Sequence, residues 1–469
     1  MPDTVRVKPP CRREDALAVL RRLRQAGHEA YFAGGCVRDE LLGLKPNDYD
    51  VATDALPQRV RELFPNTQAV GAAFGVILVR QGRSVVEVAT FRTEGKYEDG
   101  RRPAQVHFAT AREDAQRRDF TINGLFLDPV ENRVIDYVGG QEDLAARRLR
   151  AIGDPAARFA EDHLRLLRAV RFAARFGLAI EPATAAAMRA CARSLTRISP
   201  ERIADELRLM LTPPSRAAAW PMLWGYGLAP VIFRFMPGDR PAVLDESRSV
   251  LVRLSPRQPV SFPLALSAGV VDWRWQGDLH EDIRAWLAVP AVWGMARAMR
   301  QALRLSNDES DAMASILTSV GSLLADPPPR VASMKRFLAR ATAADACTLL
   351  DALAAVGIRS DRVRWLKEQF ASLRCTPLAP QPLVSGDDLV AAGLVPGPAF
   401  RQILNELYDA QLEDRIATKQ QALEMALAMA RTSLPRPSAP RTDRQNPPPG
   451  RDESKEDAGP GSGNRSGGR

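Results

Sequence analysis

The chain has 469 residues, more than one hydrophobic core usually serves, so we expect about two to four domains. Its apolar content of 45% is ordinary for a globular protein, and no stretch predicts a membrane-spanning helix or a signal peptide. The net charge of +9 and a pI near 9.6 favour a polyanionic partner, because clustered Lys and Arg displace counterions from phosphates.

The positions of cysteine and histidine argue against two kinds of site. The five cysteines are scattered without a CxxC pair, which suits a reducing cytoplasm and predicts no zinc site. The four histidines, at positions 28, 107, 163 and 280, form neither an HxxxH motif nor a His-Asp pair. We therefore expect a cytoplasmic protein whose chemistry does not depend on clustered histidines.

Short helices and strands alternate over the first 150 residues. EDALAVLRRLRQ (14–25) has helical apolar spacing, and Gly27 follows it as a stop. AYFAGG predicts a strand that enters a glycine turn, and VRDELLG predicts a helix. DYDVAT, FGVILVRQ and SVVEVATFR read as further strands. This pattern predicts a mixed α and β head domain over residues 1–150.

Beyond residue 150 the pattern is helical, so the fold class is α+β. ARFAEDHLRLLRAVRFAARFG (157–177) predicts one strongly basic amphipathic helix, and Ser199 precedes a proline at the first position of another. The seven tryptophans are predicted to be core residues. The last residues are rich in Pro, Gly, Ser and Arg and predict disorder. We expect a head over 1–150, a neck over 151–212, a body over 213–375, a tail over 376–432 and a disordered basic segment over 433–469.

Two glycines and three acidic residues of the head carry the first chemical signal. Gly34 and Gly35, between a predicted strand and helix, let the backbone approach a phosphate, although such a pair is most often a tight turn. Asp48 and Asp50 lie two apart in a predicted strand, so both carboxylates should project to one face. Glu87 lies in another strand, where a solvated edge glutamate is the alternative. Together they predict a two-metal site for phosphoryl transfer.

Charged residues recur every third position along the predicted neck helix, at Asp162, Arg165, Arg168 and Arg171. A solvated basic face is one interpretation of the arginines. Asp162 and Arg165 allow a more specific one, because a carboxylate accepts from an exocyclic amine and a guanidinium donates to a ring nitrogen. CTP and ATP present that pair of groups, whereas UTP and GTP present the reverse. The pair could therefore select C and A without a template.

The order and spacing of five motifs resemble those of a known family. GGCVRD, DYD, VEVATFR, RRDFTING and EDHLRLLRAVRF follow one another as in the class II tRNA nucleotidyltransferases and bacterial poly(A) polymerases, which belong to the polymerase β-like nucleotidyltransferase superfamily. The resemblance covers residues 28 to about 210. It implies a polymerase β-like head with a mixed sheet, followed by an all-helical neck, body and tail.

The resemblance also implies roles for individual residues. Asp48 and Asp50 would hold Mg2+, with Glu87 as a supporting catalytic acid. Glu161, Asp162 and Arg165 match the motif that selects the base. The remaining matches are nucleotide-binding residues: Gly34, Gly35, Arg38, Arg118, Asp119, Asn123, Arg168 and Arg171.

Within this family, the sequence favours addition of CCA to the 3′ end of tRNA from CTP and ATP. VGAAFGVILV (70–79) is similar to a segment of tRNA-repair members, and the stretch from Thr93 to Pro103 resembles the loop linked to the switch from C to A. The main alternative is a poly(A) polymerase, which a basic C-terminal segment would also suit. An A-only or CC-only enzyme and a non-catalytic RNA-binding protein are the further alternatives.

Overall fold

The computed structural model describes residues 11–68, 75–94, 106–236, 244–274 and 289–433. Two compact units divide the chain, residues 1–380 and residues 381–469. The strands of the first unit are β1 Ala30–Ala33, β2 Asp50–Thr53, β3 Thr67–Gln68, β4 Val76–Gln81, β5 Ser84–Thr90, β6 Arg92–Glu94, β7 Val106–Phe108, β8 Leu125–Asp128, β9 Arg133–Asp136, β10 Arg148–Leu149 and β11 Ala179–Ile180.

Helices lie between the strands in the N-terminal part of the chain and make up the regular structure of the part that follows. Those of the N-terminal part are α1 Arg13–Gln25, α2 Gly35–Leu41, α3 Pro57–Leu63, α4 Ala111–Gln116, α5 Gly140–Ala145, α6 Pro155–Glu161, α7 Arg165–Phe176, α8 Pro182–Cys191 and α9 Pro200–Leu211. Those that follow in the first unit are α10 Arg216–Gly225, α11 Ala229–Ile232, α12 Val250–Arg253, α13 Phe262–Arg274, α14 Val289–Leu303, α15 Asn307–Leu324, α16 Val331–Leu338, α17 Ala343–Ala355 and α18 Ser360–Leu373. The described helices of the second unit are α19 Gly386–Ala391, α20 Pro398–Leu412 and α21 Lys419–Ser433.

A seven-stranded mixed sheet organises the N-terminal part, in the order β3-β4-β5-β2-β1-β8-β9. β2 and β5 run parallel, and the other neighbours in this sheet are antiparallel. Helix α1 packs on one face of the sheet through Ala16, Val19, Leu20 and Leu23, whose spacing forms a single apolar stripe. The predicted α+β class with a mixed sheet in the head is confirmed.

Strand β5 shows how the sheet separates its two faces. Its residues are alternately buried and half-buried, as expected for a strand with one face against a core. Val86 and Val88 belong to the apolar core, so Glu87 between them projects from the opposite face. The face opposite α1 is therefore available to polar side chains.

The predicted basic helix over 157–177 is interrupted at residues 162–164, so the prediction of one continuous helix is wrong there. Helix α6 ends at Glu161 and α7 begins at Arg165, and Asp162 between them is extended, with φ −139° and ψ 105°. The carboxylate of Asp162 accepts a hydrogen bond from the backbone N–H of Leu164 at 3.0 Å. A short polar side chain that bonds a neighbouring N–H offers the backbone an alternative to the helix.

The helices from α10 onward in the first unit share a continuous apolar core with the N-terminal part. Of the tryptophans predicted to be core residues, Trp220, Trp224 and Trp273 are buried, and Trp365 is half-buried. Trp293 is 43% exposed on α14, so the core prediction is wrong for this residue. Apolar side chains on the outer face of a packed helix have no partner to cover them, and composition alone does not reveal that face.

The second unit has an apolar core of its own. Leu389, Ile403, Leu407 and Ala422 are buried within it and come from its three described helices. The predicted tail began at residue 376, and the compact unit begins at residue 381. The domain boundaries at 150, 212 and 375 stay predictions.

Several predictions fall on residues outside the described ranges. These are the first part of VGAAFGVILV, most of the loop from Thr93 to Pro103, the predicted core tryptophans Trp275 and Trp286, and the C-terminal segment from residue 434 onward. Within the described ranges, no helix has both the length and the apolar character needed to cross a membrane.

Candidate active site

A cavity of about 750 Å³ lies between the polar face of the sheet and the helices α7 and α9. Nine arginines and four carboxylates are among its lining residues. The predicted site residues that line it are Gly34, Gly35, Arg38, Asp50, Glu87, Arg118, Asp119, Asn123, Asp162, Arg165, Arg168 and Arg171. Asp48 and Glu161, which were also predicted, are not among the lining residues. The excess of positive charge suits a polyphosphate ligand.

Two of the three predicted acids come together in the sheet. Asp50 and Glu87 are Cα partners on the parallel strands β2 and β5, and both side chains are half-buried at the cavity. Asp48 precedes β2, and its carboxylate accepts from the backbone N–H of Cys11 at 3.4 Å. Within the described ranges, no group of three His, Cys, Asp or Glu residues is arranged to hold a metal ion. The structure thus pairs Asp50 with Glu87 and does not group Asp48 with them.

The strand predicted over DYDVAT begins two residues later than expected. Asp48 lies outside β2, so the rule that residues two apart share a face does not reach it. Tyr49 is buried and donates its hydroxyl to Glu40 at 2.7 Å, while its ring packs 5.2 Å from that of Phe32. This anchored tyrosine fixes the chain that enters the strand.

The glycine pair forms the turn from β1 into α2. Gly34 has a φ of +72°, a conformation that favours glycine, and a Cβ there would lie 2.7 Å from Nη1 of Arg118. The same Arg118 atom donates to the carbonyl of Asn123 at 3.1 Å. Gly34 therefore permits a close approach between this turn and the RRDFTIN segment.

Arg38 is committed to partners within the protein. Its Nη1 donates to Asn123 Oδ1 at 2.5 Å and its Nη2 to Asp39 Oδ1 at 2.6 Å, and the guanidinium lies 4.3 Å from the ring centroid of Phe176. Burial lowers the pKa of this guanidinium below its usual value. The sequence predicts that Arg38 binds the nucleotide, whereas in this structure most of its donors face protein acceptors.

A buried aspartate that the sequence reasoning missed organises two arginines of the cavity. Asp114 on α4 accepts from Arg117 Nη2 at 2.6 Å through one carboxylate oxygen and from Arg118 Nη2 at 2.9 Å through the other. Burial disfavours its ionised form, but Arg118 and Arg117 outweigh burial and lower the pKa of Asp114. Arg118, which the sequence predicts to bind the nucleotide, is thereby held in one orientation.

Asp119 links the head segment to helix α7. It accepts from Arg168 Nη2 at 2.6 Å and Nε at 2.8 Å, and from Asn123 Nδ2 at 3.0 Å. Burial opposes ionisation of this carboxyl group, yet Arg168 and the hydrogen bond from Asn123 lower its pKa to about 2. The three predicted residues therefore form one charged network on the wall of the cavity.

Asp162 and Arg165 both line the cavity but do not pair with each other. Asp162 Oδ2 accepts from Arg202 Nη2 at 2.9 Å, and Arg165 Nη1 donates to Glu161 Oε2 at 2.5 Å. Arg158 also donates to Glu161, at 3.0 Å. A carboxylate and a guanidinium thus face one cavity from neighbouring positions, each oriented by a separate partner.

Four lining arginines were not predicted as site residues: Arg92, Arg117, Arg175 and Arg202. Arg175 lies one turn after Arg171 on α7, so extension of the helical spacing could have found it. Arg202 has no comparable signal, because SPERIADEL predicts only a capped helix. Its contact with Asp162 joins residues 40 positions apart in the chain.

The cavity, the mixed sheet and the glycine turn define a nucleotidyltransferase head, and family models agree. Residues 30–150 match the model described as "Poly A polymerase head domain". Residues 177–238 match a model for the RNA and SrmB- binding site of polymerase A, and residues 278–427 match one for tRNA nucleotidyltransferase domain 2.

Comparison with individual proteins identifies the family within the nucleotidyltransferase class. The CCA-adding enzyme of Lacticaseibacillus paracasei is 32% identical over 411 residues, which cover 84% of this chain and 90% of that enzyme. This chain belongs to the family of CCA-adding enzymes. The family and the nucleotidyltransferase class that the sequence predicted are confirmed.

Other relatives match over a shorter part. The CCA-adding enzyme of Geobacillus thermodenitrificans is 43% identical over 233 residues, which span 50% of this chain and 56% of that enzyme. Thus the chain aligns with little more than half the length of such relatives. The Bacillus stearothermophilus CCA-adding enzyme, solved in complex with CTP, has a TM-score of 0.66 and 28% identity, and the match covers 89% of this chain and 98% of that one.

Proposed function

We propose that this chain adds CCA to the 3′ end of tRNA from CTP and ATP, with release of pyrophosphate. The observation that carries the proposal is the cavity, where Asp50 and Glu87 on the sheet share one space with Asp162 and Arg165. Membership of the CCA-adding family supports the substrate class. We predict a cytoplasmic location, because the scattered cysteines suit a reducing compartment.

The acidic side of the cavity partly fits a divalent cation. Asp50 and Glu87 supply two carboxylates from adjacent strands, the hard oxygen ligands that Mg2+ prefers. We propose that Asp48 and Asp50 hold Mg2+ and that Glu87 supports them, although Asp48 contacts Cys11 in this structure. The ion would activate the RNA 3′-hydroxyl and neutralise charge on the triphosphate.

The arginines of the cavity would bind and orient the triphosphate. Arg118 is fixed by Asp114, and Arg168 by Asp119, so their charges are in place before a nucleotide binds. Preorganised charges of this kind stabilise a developing negative charge without reorganisation at the moment of reaction. We propose that Gly34, Gly35 and Asn123 shape the floor on which the phosphates lie.

The opposite wall would select the base. The Asp162 carboxylate accepts from the exocyclic amine of C or A, and Arg165 donates to the adjacent ring nitrogen. U and G present a carbonyl beside an N–H, which leaves polar groups unsatisfied at a cost of about 1–3 kcal/mol per contact. In our proposal, Glu161 binds Arg165 and Arg202 binds Asp162, so that Asp162 and Arg165 stay apart until a base lies between them.

The decisive experiment gives the full chain a tRNA that ends before its CCA, together with labelled CTP and ATP in Mg2+. Extension that stops after three nucleotides supports the proposal. A long ladder of A supports the poly(A) alternative, whose name the head-domain model carries. Addition of one A or two C residues alone would indicate a partial enzyme.

A further inference from the structure

A smaller cavity, of about 470 Å³, lies beside the active site in the N-terminal part of the chain. Its described lining residues include Gln116, Thr121, Tyr137, Val138, Arg150 and Ile152, and we call it the Arg150 pocket. Among the described residues, none lines both this pocket and the active-site cavity. The volume lies within the range of small-molecule sites, about 300–1,000 Å³.

The side chain of Arg158 lies between the two cavities. Arg158 lines the Arg150 pocket, and its Nη1 donates to Glu161 Oε2, the same oxygen that accepts from Arg165 of the active site. Its Nη2 donates to the carbonyl of Gln116 at 2.9 Å and its Nε to that of Ile152 at 3.0 Å. Because these donors already have acceptors, Arg158 forms a wall of the pocket and is not its anion-binding group.

Arg150 is the cation of the pocket that still has donors to offer. Its Nε donates to Asp143 Oδ2 at 2.8 Å, and the same oxygen accepts from the hydroxyl of Thr121 at 2.7 Å. Asp143 is fully buried and also accepts from Arg148, so that one carboxylate faces two guanidinium groups. Neither Nη atom of Arg150 has a hydrogen-bond partner in the part of the chain that the structure describes. A buried carboxylate thus orients this guanidinium and leaves its outer N–H groups for a ligand.

The rest of the Arg150 pocket offers apolar surface and one amide. Tyr137, Val138 and Ile152 supply the apolar surface, and the guanidinium of Arg112 lies 4.7 Å from the centroid of the Tyr137 ring. Gln116 is exposed, and its side-chain amide has no hydrogen-bond partner among the described residues. One oriented cation, an apolar wall and a free amide suit a ligand that carries one phosphate and one planar heterocycle.

We propose that the Arg150 pocket binds a nucleoside monophosphate, with the phosphate on Arg150 and the base against the apolar wall. The active-site cavity, of about 750 Å³ and with nine arginines, suits a triphosphate, whereas the Arg150 pocket is smaller and has one guanidinium with free donors. Apolar surface accepts the face of any base, so we expect little preference among the bases. The inference does not depend on the proposed function, because no residue of the active site takes part.

The test measures binding of GMP to the full chain by isothermal titration calorimetry, with saturating CTP and no RNA. CTP occupies the active site, and guanine presents to Asp162 and Arg165 the pattern of groups that our proposal excludes. We expect one GMP to bind per chain. Guanosine, which lacks the phosphate, and inorganic phosphate, which lacks the base, should each bind at least about tenfold more weakly.

Two variants and a control assign the binding to the pocket. Arg150→Met removes the phosphate ligand and should raise the Kd for GMP about 10- to 100-fold. Gln116→Trp fills part of the pocket from an exposed position and should also raise the Kd, without disturbing the bonds of buried Asp143. Arg133→Met, at an exposed arginine of β9, is the matched control and should leave the Kd unchanged. Thermal unfolding establishes that each variant is folded.

Three results would overturn the inference. They are the absence of a GMP site in the CTP-saturated parent, displacement of GMP as the concentration of CTP rises, and a parent-like Kd in folded Arg150→Met and Gln116→Trp. If Arg150→Met does not fold, Gln116→Trp decides alone. Failure of the proposed function gives a different pattern, in which the parent adds no CCA to tRNA and still binds GMP at the Arg150 pocket.

Discussion

The cavity and the helical body bury charged groups in opposite ways. In the cavity, each buried acid faces an arginine, as Asp119 faces Arg168 at 2.6 Å. In the body, Arg216 is fully buried and donates to the carbonyls of Leu254 and Ser255 at 2.6 and 2.5 Å. Asp272, also buried, accepts from the hydroxyl of Ser249 at 2.5 Å.

The difference teaches what each region requires. In the cavity, ion pairs hold the arginines in position although desolvation of these charges is unfavourable. This arrangement suits a site that must bind a triphosphate. A single buried charged side chain that bonds carbonyls or hydroxyls instead joins separate segments of a scaffold. The folded state is destabilised when one of these segments moves away, because the buried side chain is then left without a hydrogen-bond partner. We therefore expect changes in the cavity to alter catalysis and changes in the body to alter stability.

The largest effect is expected at Asp50. The variant Asp50→Asn keeps the size of the side chain but removes the charge proposed to hold the cation, so incorporation of CTP and ATP should fall about 10³-fold. Asp54→Asn, at the exposed residue that directly follows the same strand, should retain activity. Single-turnover incorporation measures both. Parent-like rates for Asp50→Asn would contradict the catalytic role of the cavity.

A large loss of stability is expected at Arg216. The variant Arg216→Met leaves the buried carbonyls of residues 254 and 255 without this donor, which should reduce the free energy of unfolding by about 3 kcal/mol. Denaturant unfolding measures the change, with the exposed Arg253→Met as control. The incorporation rate of folded protein should stay near that of the parent. A catalytic defect without a loss of stability would contradict the expectation that changes in the body alter stability and changes in the cavity alter catalysis.

A pH-dependent effect is expected at Asp272. Burial raises the pKa of this carboxyl group to about 7, so its contribution to stability is full below about pH 4 and is lost as pH rises to 7. The stability of the parent relative to Asp272→Asn should fall by about 4 kcal/mol across this window. Unfolding midpoints at pH 4, 5.5 and 7 measure it. The exposed Asp361→Asn should show no such trend.

The smallest effect is expected at Gly294 on α14. A Cβ at this position meets no atom within 4 Å, so Gly294→Ala should stabilise the helix by about 0.5 kcal/mol. Gly357 also has open space but a φ of +88°, so Gly357→Ala should destabilise. Thermal unfolding of the two variants should shift in opposite directions. A shift in the same direction would show that space and not backbone conformation governs both sites.

The sequence predicts those parts of the site that depend on local pattern. Gly34 lies at the end of a predicted strand, and Asp50 and Glu87 lie in strands whose alternation fixes the exposed face. Their order in the chain was sufficient to identify the family. The head sheet and the helical remainder follow from the same periodicities.

Other features depend on contacts that periodicity does not contain. Asp48 was assigned to a strand that begins two residues later, and Asp162 to a helix that breaks at that residue. Arg202 reaches Asp162 from a separate helix, 40 positions away in the chain. Such pairings arise when distant elements pack, so a single sequence gives no signal for them.

Selection of the base is the central claim, and one measurement tests it most directly. Each of the four nucleoside triphosphates is offered separately, in Mg2+, to the parent chain and to Asp162→Ala, with an RNA that ends before its CCA. Asp205→Ala, an exposed acid on α9, is the control. We predict that Asp162→Ala loses about 10- to 100-fold of the preference for CTP over UTP, while the control keeps it. A folded Asp162→Ala variant with the full preference of the parent would contradict the account.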